Sequence, residues 1–550
     1  MFESDGPIDQ AALARAHMFG PQGVPVQADI RFESGLLVCE KAADGAGGLC
    51  LPFNLDALGE KVGGGLGTLM CATCLLPDRH APYLLTLELA RRRIMSFLNK
   101  LEDWGLFDAA GSVDGVTKAL ETFEKARATF TRSLVAQSKG DGLNPEASSL
   151  GATSLALAIE AGEQLSLSAA RRDLPKRILG RMHAEAADHF KAIHGKPPPP
   201  ETPIIYPGAP GVVLPGRPLL GVTVDPARFD STQQKVIKET CDFVSIPMRW
   251  TDMEPTEGRY NFKPTDKCIE WAVRKARMPI VGGPVIDLRP GGSPKWLHVW
   301  ENDYETLREL VYEHVKQVVT RYRRTIRRWT VATSLHVNSN FQLTFEQMMD
   351  LTRVSVLILR KLHPQAKVQL EITQPWGEYY AEHRKSLPPQ VYADMVQQVG
   401  IAADAIGLGI RFGSSDPGQA ARDLLGFAGM LDRFGQLERP IAVTCLGVPS
   451  EPGATQTPSP GSWRGGWTDV SQGHWLARAA SIALSRPFVH SVCWQGLVDP
   501  PESGTKPGGD MAAGGLLRSS GEAKPALDAF RAVRMAVRRE SGAPLEKLLG

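Results

Sequence analysis

Three carboxylates stand where they could move protons: Asp287, Glu371 and Asp499 each fall at or just past the end of a short apolar run that reads as a strand. Two carboxyls about 5–10 Å apart across one pocket are the equipment of glycosidic hydrolysis, one as acid and the other as base or nucleophile. Arg249, Arg411, Trp250, Trp296, Trp376 and Trp494 occupy the same kind of position. That mixture suits a sugar, which offers an apolar face to a ring and a polar edge to hydrogen bonds. For Trp250, Trp296 and Trp494 the alternative is that the rings close the top of the core. Cys445 offers a third chemistry as a thiol nucleophile with His336 as the nearest base, against the ordinary fate of a strand-end cysteine as inert packing.

Other patterns read more plainly. Cys71-Ala72-Thr73-Cys74 has redox or half-zinc spacing, and Cys39, Cys50 and His80 could complete a set; with no second paired motif these read as buried thiols, and no metal is assigned. Gly63-Gly64-Gly65-Leu66-Gly67-Thr68 lacks the lysine of a phosphate loop and reads as a glycine-rich hairpin. His183, Glu185, Asp188 and His189 read as the solvated face of a helix. The segment 458–467, rich in proline, glycine and tryptophan, reads either as a lid or as a docking surface for the N-terminal region.

The strands that would carry the candidate residues are 219–224, 243–247, 279–285, 328–332, 367–372, 405–410, 441–446 and 491–494, alternating with amphipathic helical stretches. Eight such units over roughly 300 residues predict an α/β fold, a (β/α)8 TIM barrel whose site lies at the C-terminal strand ends. Ahead of it, glycine-broken apolar runs predict a β-rich unit over 1–80, and helical spacing predicts three or four helices over 81–193. The proline run after His194 marks a stiff linker over 194–216; the barrel takes 217–535 and a tail 536–550.

The whole chain has 550 residues, 43% hydrophobic and 22% charged, with a formal net charge of +2. A balance so near neutral carries no electrostatic footprint for nucleic acid or an anionic membrane. The acidic first residues, Glu3, Asp5 and Asp9, are unlike a secretion signal, and no apolar run is long enough to span a bilayer. Eight scattered cysteines read as reduced thiols, so a cytoplasmic location is expected.

Several blocks, in order, resemble glycoside hydrolase family 10, the endo-xylanase family. Met248-Arg249-Trp250 with Glu254-Pro255, Gly258 and Asn261-Phe262 is similar to its M-K-W…E-P…G-x-x-x-F block. Met278-Pro279-Ile280-Val281-Gly282 with Pro294-Lys295-Trp296-Leu297 resembles its third-strand block. The stretch from His314 and Val318 through Arg321-Tyr322 to Trp329-x-Val331 resembles its approach to the fourth strand, and Gly515-Leu516-Leu517 with Lys524-Pro525-Ala526 its closing segment. The resemblance implies an O-glycosyl hydrolase fold from about residue 217, with a glutamate in W-D-V-V-N-E and another in T-E-L-D. Here those stretches read Trp329-Thr330-Val331-Ala332-Thr333-Ser334 and Thr444-Cys445-Leu446-Gly447. Ser334 and Cys445 therefore occupy the two catalytic positions, and neither can serve as the carboxyl pair. The family's R-G-H-T-L-V-W-H becomes Val281-Gly282-Gly283-Pro284-Val285-Ile286-Asp287-Leu288, without the histidine and tryptophan that contact the central sugar. Its N-D-Y-N becomes Glu371-Ile372-Thr373-Gln374, and its sixth-strand histidine falls at Arg411.

These readings lead to a catalytically degenerate family-10-like barrel that needs no cofactor and binds a carbohydrate or glycoconjugate, or serves as an interaction scaffold with a protein partner on its N-terminal region. The alternative is an active glycosyl hydrolase whose carboxylates have moved to Asp287, Glu371 and Asp499.

Overall fold

In the computed structural model the eight expected strands close on themselves. They are β1 (Leu219–Thr223), β2 (Phe243–Ile246), β3 (Ile280–Gly282), β4 (Arg328–Thr333), β5 (Lys367–Thr373), β6 (Ala405–Arg411), β7 (Ile441–Gly447) and β8 (Val489–Trp494). Each pairs in parallel with the next, and β1 closes the barrel on β8 through Leu219↔Ser491 and Val222↔Trp494. The structure describes residues 1–3, 10–42, 44–61, 64–79, 81–107, 113–139, 142–199, 202–206, 210–413, 418–451, 460–501, 511–539 and 549.

Helices form between the strands where a polar cap meets an apolar stripe. Asp303 caps Tyr304–Tyr322 through the Thr306 amide, Thr344 and Gln347 make a capping box on Phe345–Leu362, and Thr468 and Ser471 make another on Asp469–Ser485. The third strand is shorter than its apolar run. At Gly283 the backbone turns to φ +106 and passes so close to the Thr330 carbonyl that a Cβ would lie 2.1 Å from its oxygen; strand pairing resumes only at Ile286–Asp287. Beyond this break Asp287 lines the cavity inside the barrel.

The N-terminal third has two four-stranded sheets. One contains Ala28–Glu33, Leu36–Lys41, Phe2–Glu3 and Tyr83–Leu84, the other Pro25–Val26, His17–Phe19, Gly48–Asn54 and Thr68–Ala72. Four helices follow: Leu85–Asp103, Val116–Gln137, Pro145–Ile178 and Arg181–His194. Beyond the proline run, the linker doubles back as a short antiparallel ladder, Ile204–Ile205 against Val212–Val213, rather than staying extended. The last helix runs to Arg538, three residues into the expected tail, where Arg538 pairs with the buried Asp242. Residues 540–548 and 550 of that tail lie outside the described residues.

One apolar cluster runs continuously from Phe2 in the first sheet, through Ile159 of the long helix, to the barrel strands and Val537. The N-terminal third is thus seated on the barrel. Glu163, buried in the middle of Pro145–Ile178, accepts hydrogen bonds from the Trp463 indole (2.7 Å) and the Leu424 amide (3.2 Å) and pairs with Arg464. Asp432 receives Lys100, the Trp104 indole and Arg486, and Arg93 pairs with Asp423.

The glycine-rich run has its explanation here. Gly67, at φ +88, lies where a Cβ would meet the Ser462 carbonyl oxygen at 2.3 Å, and Gly461, at φ +81, faces the Thr68 oxygen at 2.4 Å. Two backbones pass at contact distance, tied by Ser462 N–H to Thr68 O (2.9 Å) and Arg464 N–H to Leu66 O (3.0 Å). The described part of segment 458–467 is therefore a docking surface for the N-terminal region, as one of the two sequence readings had it; 458–459 and Gly63 lie outside the described residues. Among the described residues, no helix is long and apolar enough to cross a membrane.

Candidate functional site

The C-terminal ends of β4 and β7 carry Ser334 and Cys445 at the same end of the barrel, as the alignment of motifs requires. Ser334 follows β4 directly, takes a left-handed backbone (φ +58) and is almost wholly buried. Its hydroxyl is shared with the Thr373 hydroxyl at 2.6 Å and the Thr333 hydroxyl at 3.0 Å, so it is a structural tie between β4 and β5. Cys445 lies inside the mouth, where the Arg411 Nε donates to its sulfur at 3.0 Å.

Two connected spaces open at this end. An inner cavity of about 60 Å³ lies inside the barrel, lined from all eight strands and the segments that follow them, and an outer cleft of about 460 Å³ lies over β1, β2 and β8. Thr223, Pro247, Arg249 and Gln495 line both. The inner cavity gathers Asp287, Arg289, Glu371, Arg411 and Cys445, with Gln369 among the residues deeper along the strands. Asp287 is held by Arg289 in a two-point ion pair, at 2.9 and 2.8 Å. Glu371 leans over Gly409, whose missing side chain leaves it room: a Cβ there would sit 3.0 Å from the Glu371 carboxylate. Burial pushes the Glu371 carboxyl above its ordinary value; the Arg289 and Arg411 guanidiniums oppose that rise and the Asp287 charge adds to it.

The other candidates are spent elsewhere. Asp499 is locked to the buried Lys524 at 2.7 Å and accepts the Gly515 amide, so it ties the closing segment to β8 and lines neither space among the described residues. Trp250 is completely buried, stacked on His314 at 4.3 Å between ring centres, with its indole N–H on Glu254. Trp296 meets Trp250 edge-on at 6.0 Å and donates to the Glu254 carbonyl. Trp494 is buried with its N–H on the Gly514 carbonyl. These three rings close the barrel top, the second of the readings open to them. Trp376 lies under the Arg422 guanidinium, 4.2 Å from its ring centre, in a separate groove between the barrel and the helix Leu85–Asp103. Sequence reasoning missed Arg289 and Gln495. The Asp-Leu-Arg order at 287–289 was a signal for the first; nothing marked the second.

His336 does not serve Cys445. Its Nε2 lies 3.1 Å from the Thr373 carbonyl oxygen, its ring is packed against Tyr392, and burial pushes it down to about 4. Burial also lowers the fully buried His314. Because the unfolded chain takes up these protons near pH 6.5 and the folded chain only lower, stability from both is lost as pH falls below about 6.5, for His336 down to about 4. For His336 the full loss is about 3 kcal/mol. Urea titrations across that window should show His336→Gln flattening the acid slope, and an unchanged slope would refute this assignment.

The thiols at Cys50 and Cys71 are pushed up to about 12 and that at Cys39 to about 11, each by burial, in keeping with packing. His80 lies outside the described residues. Glu185 and Asp188 face solvent, while His183 reaches the Thr202 carbonyl and His189 packs edge-on against Tyr206.

Comparison with known proteins bears on residues 216–460, which match the family model for glycosyl hydrolase family 10. Endo-1,4-beta-xylanase B of Thermotoga neapolitana is 33% identical over 84 residues, 15% of this chain and 23% of that protein. Endo-1,4-beta-xylanase 2 of Aureobasidium pullulans is 23% identical over 246 residues, 42% of this chain and 66% of that protein. The chain thus spans less than two thirds of the length of either relative. Among solved structures, native xylanase 10B from Thermotoga maritima superposes with a TM-score of 0.44 at 16% identity, covering 60% of this chain and 97% of that one.

Proposed function

We propose that this glycosyl hydrolase family 10, xylanase-like barrel holds a carbohydrate at its mouth without cleaving it. The observation that carries the reading is the state of the groups at the two catalytic positions. Ser334 is buried in a hydroxyl tie, Cys445 is bound to Arg411, and Asp287 and Asp499 are each neutralised by a basic partner. The N-terminal third, docked against the loops that follow β6 and β7, supports a second role as a platform that sets those loops.

Ligand binding to the folded state alone raises stability, by about 2.7 kcal/mol at a hundredfold excess over Kd. Melting of the full chain should therefore rise with xylotetraose or related oligosaccharides while the sugar is recovered intact. No shift with any neutral or acidic oligosaccharide would remove the reading.

One observation favours a hydrolase with relocated groups: Glu371, raised by burial, shares the inner cavity with Asp287. A glutamic acid raised by burial beside a carboxylate is the pairing from which a general acid can be built. That reading requires a glycosidase activity that Glu371→Gln removes.

A further inference from the structure

The inner cavity is small and lined by one more guanidinium than carboxylate, and Arg249 also pairs with Asp252 at its edge. Arg249, Arg289 and Arg411 line it against two carboxylates, Asp287 and Glu371, and Asp287 already neutralises Arg289. Its volume of about 60 Å³ holds a few waters or one small polar group, not a pyranose ring. Gln495 stands at the junction with the outer cleft, 4% exposed, and neither its amide nitrogen nor its amide oxygen has a hydrogen-bond partner. A buried N–H donor without a partner is costly, so an acceptor that reaches the Gln495 amide nitrogen is its natural complement. The outer cleft, at about 460 Å³, is in the size range of a small-molecule site and is lined in part by apolar groups such as Met253, Leu497 and Val498.

We propose that the inner cavity receives the carboxylate of a sugar acid, with Arg411 and the Gln495 amide as its donors, while the sugar body lies in the outer cleft. The proposal rests on the carbohydrate reading above and narrows it to acidic sugars. A charged carboxylate accepting from a guanidinium discriminates strongly against an uncharged analogue, because charge-assisted hydrogen bonds are about twice as strong as neutral ones.

Calorimetry and thermal melting of the full chain with D-glucuronate, D-glucuronamide, inorganic sulfate and xylotetraose test it. Glucuronate should bind at least about tenfold tighter than glucuronamide, and Arg411→Gln should remove that preference. Gln495→Leu keeps the size of the side chain and deletes the unpartnered amide, so it should melt no lower than the parent yet bind glucuronate more weakly. Sulfate binding as well as glucuronate would make the cavity a bare anion site and overturn the proposal. Xylotetraose binding without glucuronate would overturn it and leave the broader carbohydrate reading standing. Silence from all three sugars would defeat both.

Discussion

Glu163→Ala is expected to cost about 3–5 kcal/mol and to loosen the N-terminal third from the barrel, because it strips a buried charge from its partners. Glu163 is 2% exposed and serves the Trp463 indole, the Leu424 amide and Arg464 at once. Removal leaves a buried N–H on Trp463 and another at the start of the helix Leu424–Gly435, with Glu160 left to face Arg464 among the described residues. Urea unfolding would measure the loss. Glu163→Gln should lose less, since it keeps an acceptor for the indole. The same coupling predicts that a barrel lacking residues 1–210 is insoluble, since Trp463, Leu425 and the buried faces of the helices Leu424–Gly435 and Asp469–Ser485 would be laid bare. A soluble, cooperatively melting truncated barrel, or a Glu163→Ala chain as stable as its parent, would contradict the shared core.

Restoring the family's two glutamates, Ser334→Glu with Cys445→Glu, is expected to give no xylanase and to destabilise the chain. At Ser334 the larger side chain must start from a left-handed backbone and displace the hydroxyl tie to Thr373, an overpacking that costs about 1–3 kcal/mol before the buried charge is counted. At Cys445 a new carboxylate would be engaged by Arg411, whose Nε already lies 3.0 Å from the sulfur, and a carboxylate held in such an ion pair is a weakened nucleophile. Cys445 lines the inner cavity of about 60 Å³ and Ser334 does not, so the two positions do not face one common space there. General-acid assistance of roughly 10²–10⁴-fold is therefore not recovered without the geometry that uses it. Product release from xylan at any rate clearly above the parent would show that the missing carboxyls alone account for inactivity.

The barrel was legible because each strand is a short apolar run between helical repeats, and all eight fall within a few residues of their expected bounds. The third departs most, since close approach to the Thr330 carbonyl, not hydrophobicity, sets where it breaks at Gly283. The site was legible only in part. Strand-end position brought Asp287, Glu371, Arg249 and Arg411 to one mouth, but it cannot tell a ring that faces the mouth from one that faces the helices. For Trp250 that is decided by His314 and Glu254, and for Asp499 by Lys524, partners visible only once the chain is folded. The docking of the N-terminal third was hidden for the same reason. Glu163 and Trp463 are 300 positions apart, and the glycine run at 63–68 signalled a tight backbone without saying against what.

Hydrolysis by the unmodified chain is the most direct measurement. Purified full-length protein incubated with xylan and with aryl xylosides should release no reducing sugar or phenol above the uncatalysed background at any pH from 4 to 8, while still melting cooperatively. Turnover of either substrate that Glu371→Gln or Asp287→Asn abolishes would contradict the account and make the inner cavity of this barrel an active site.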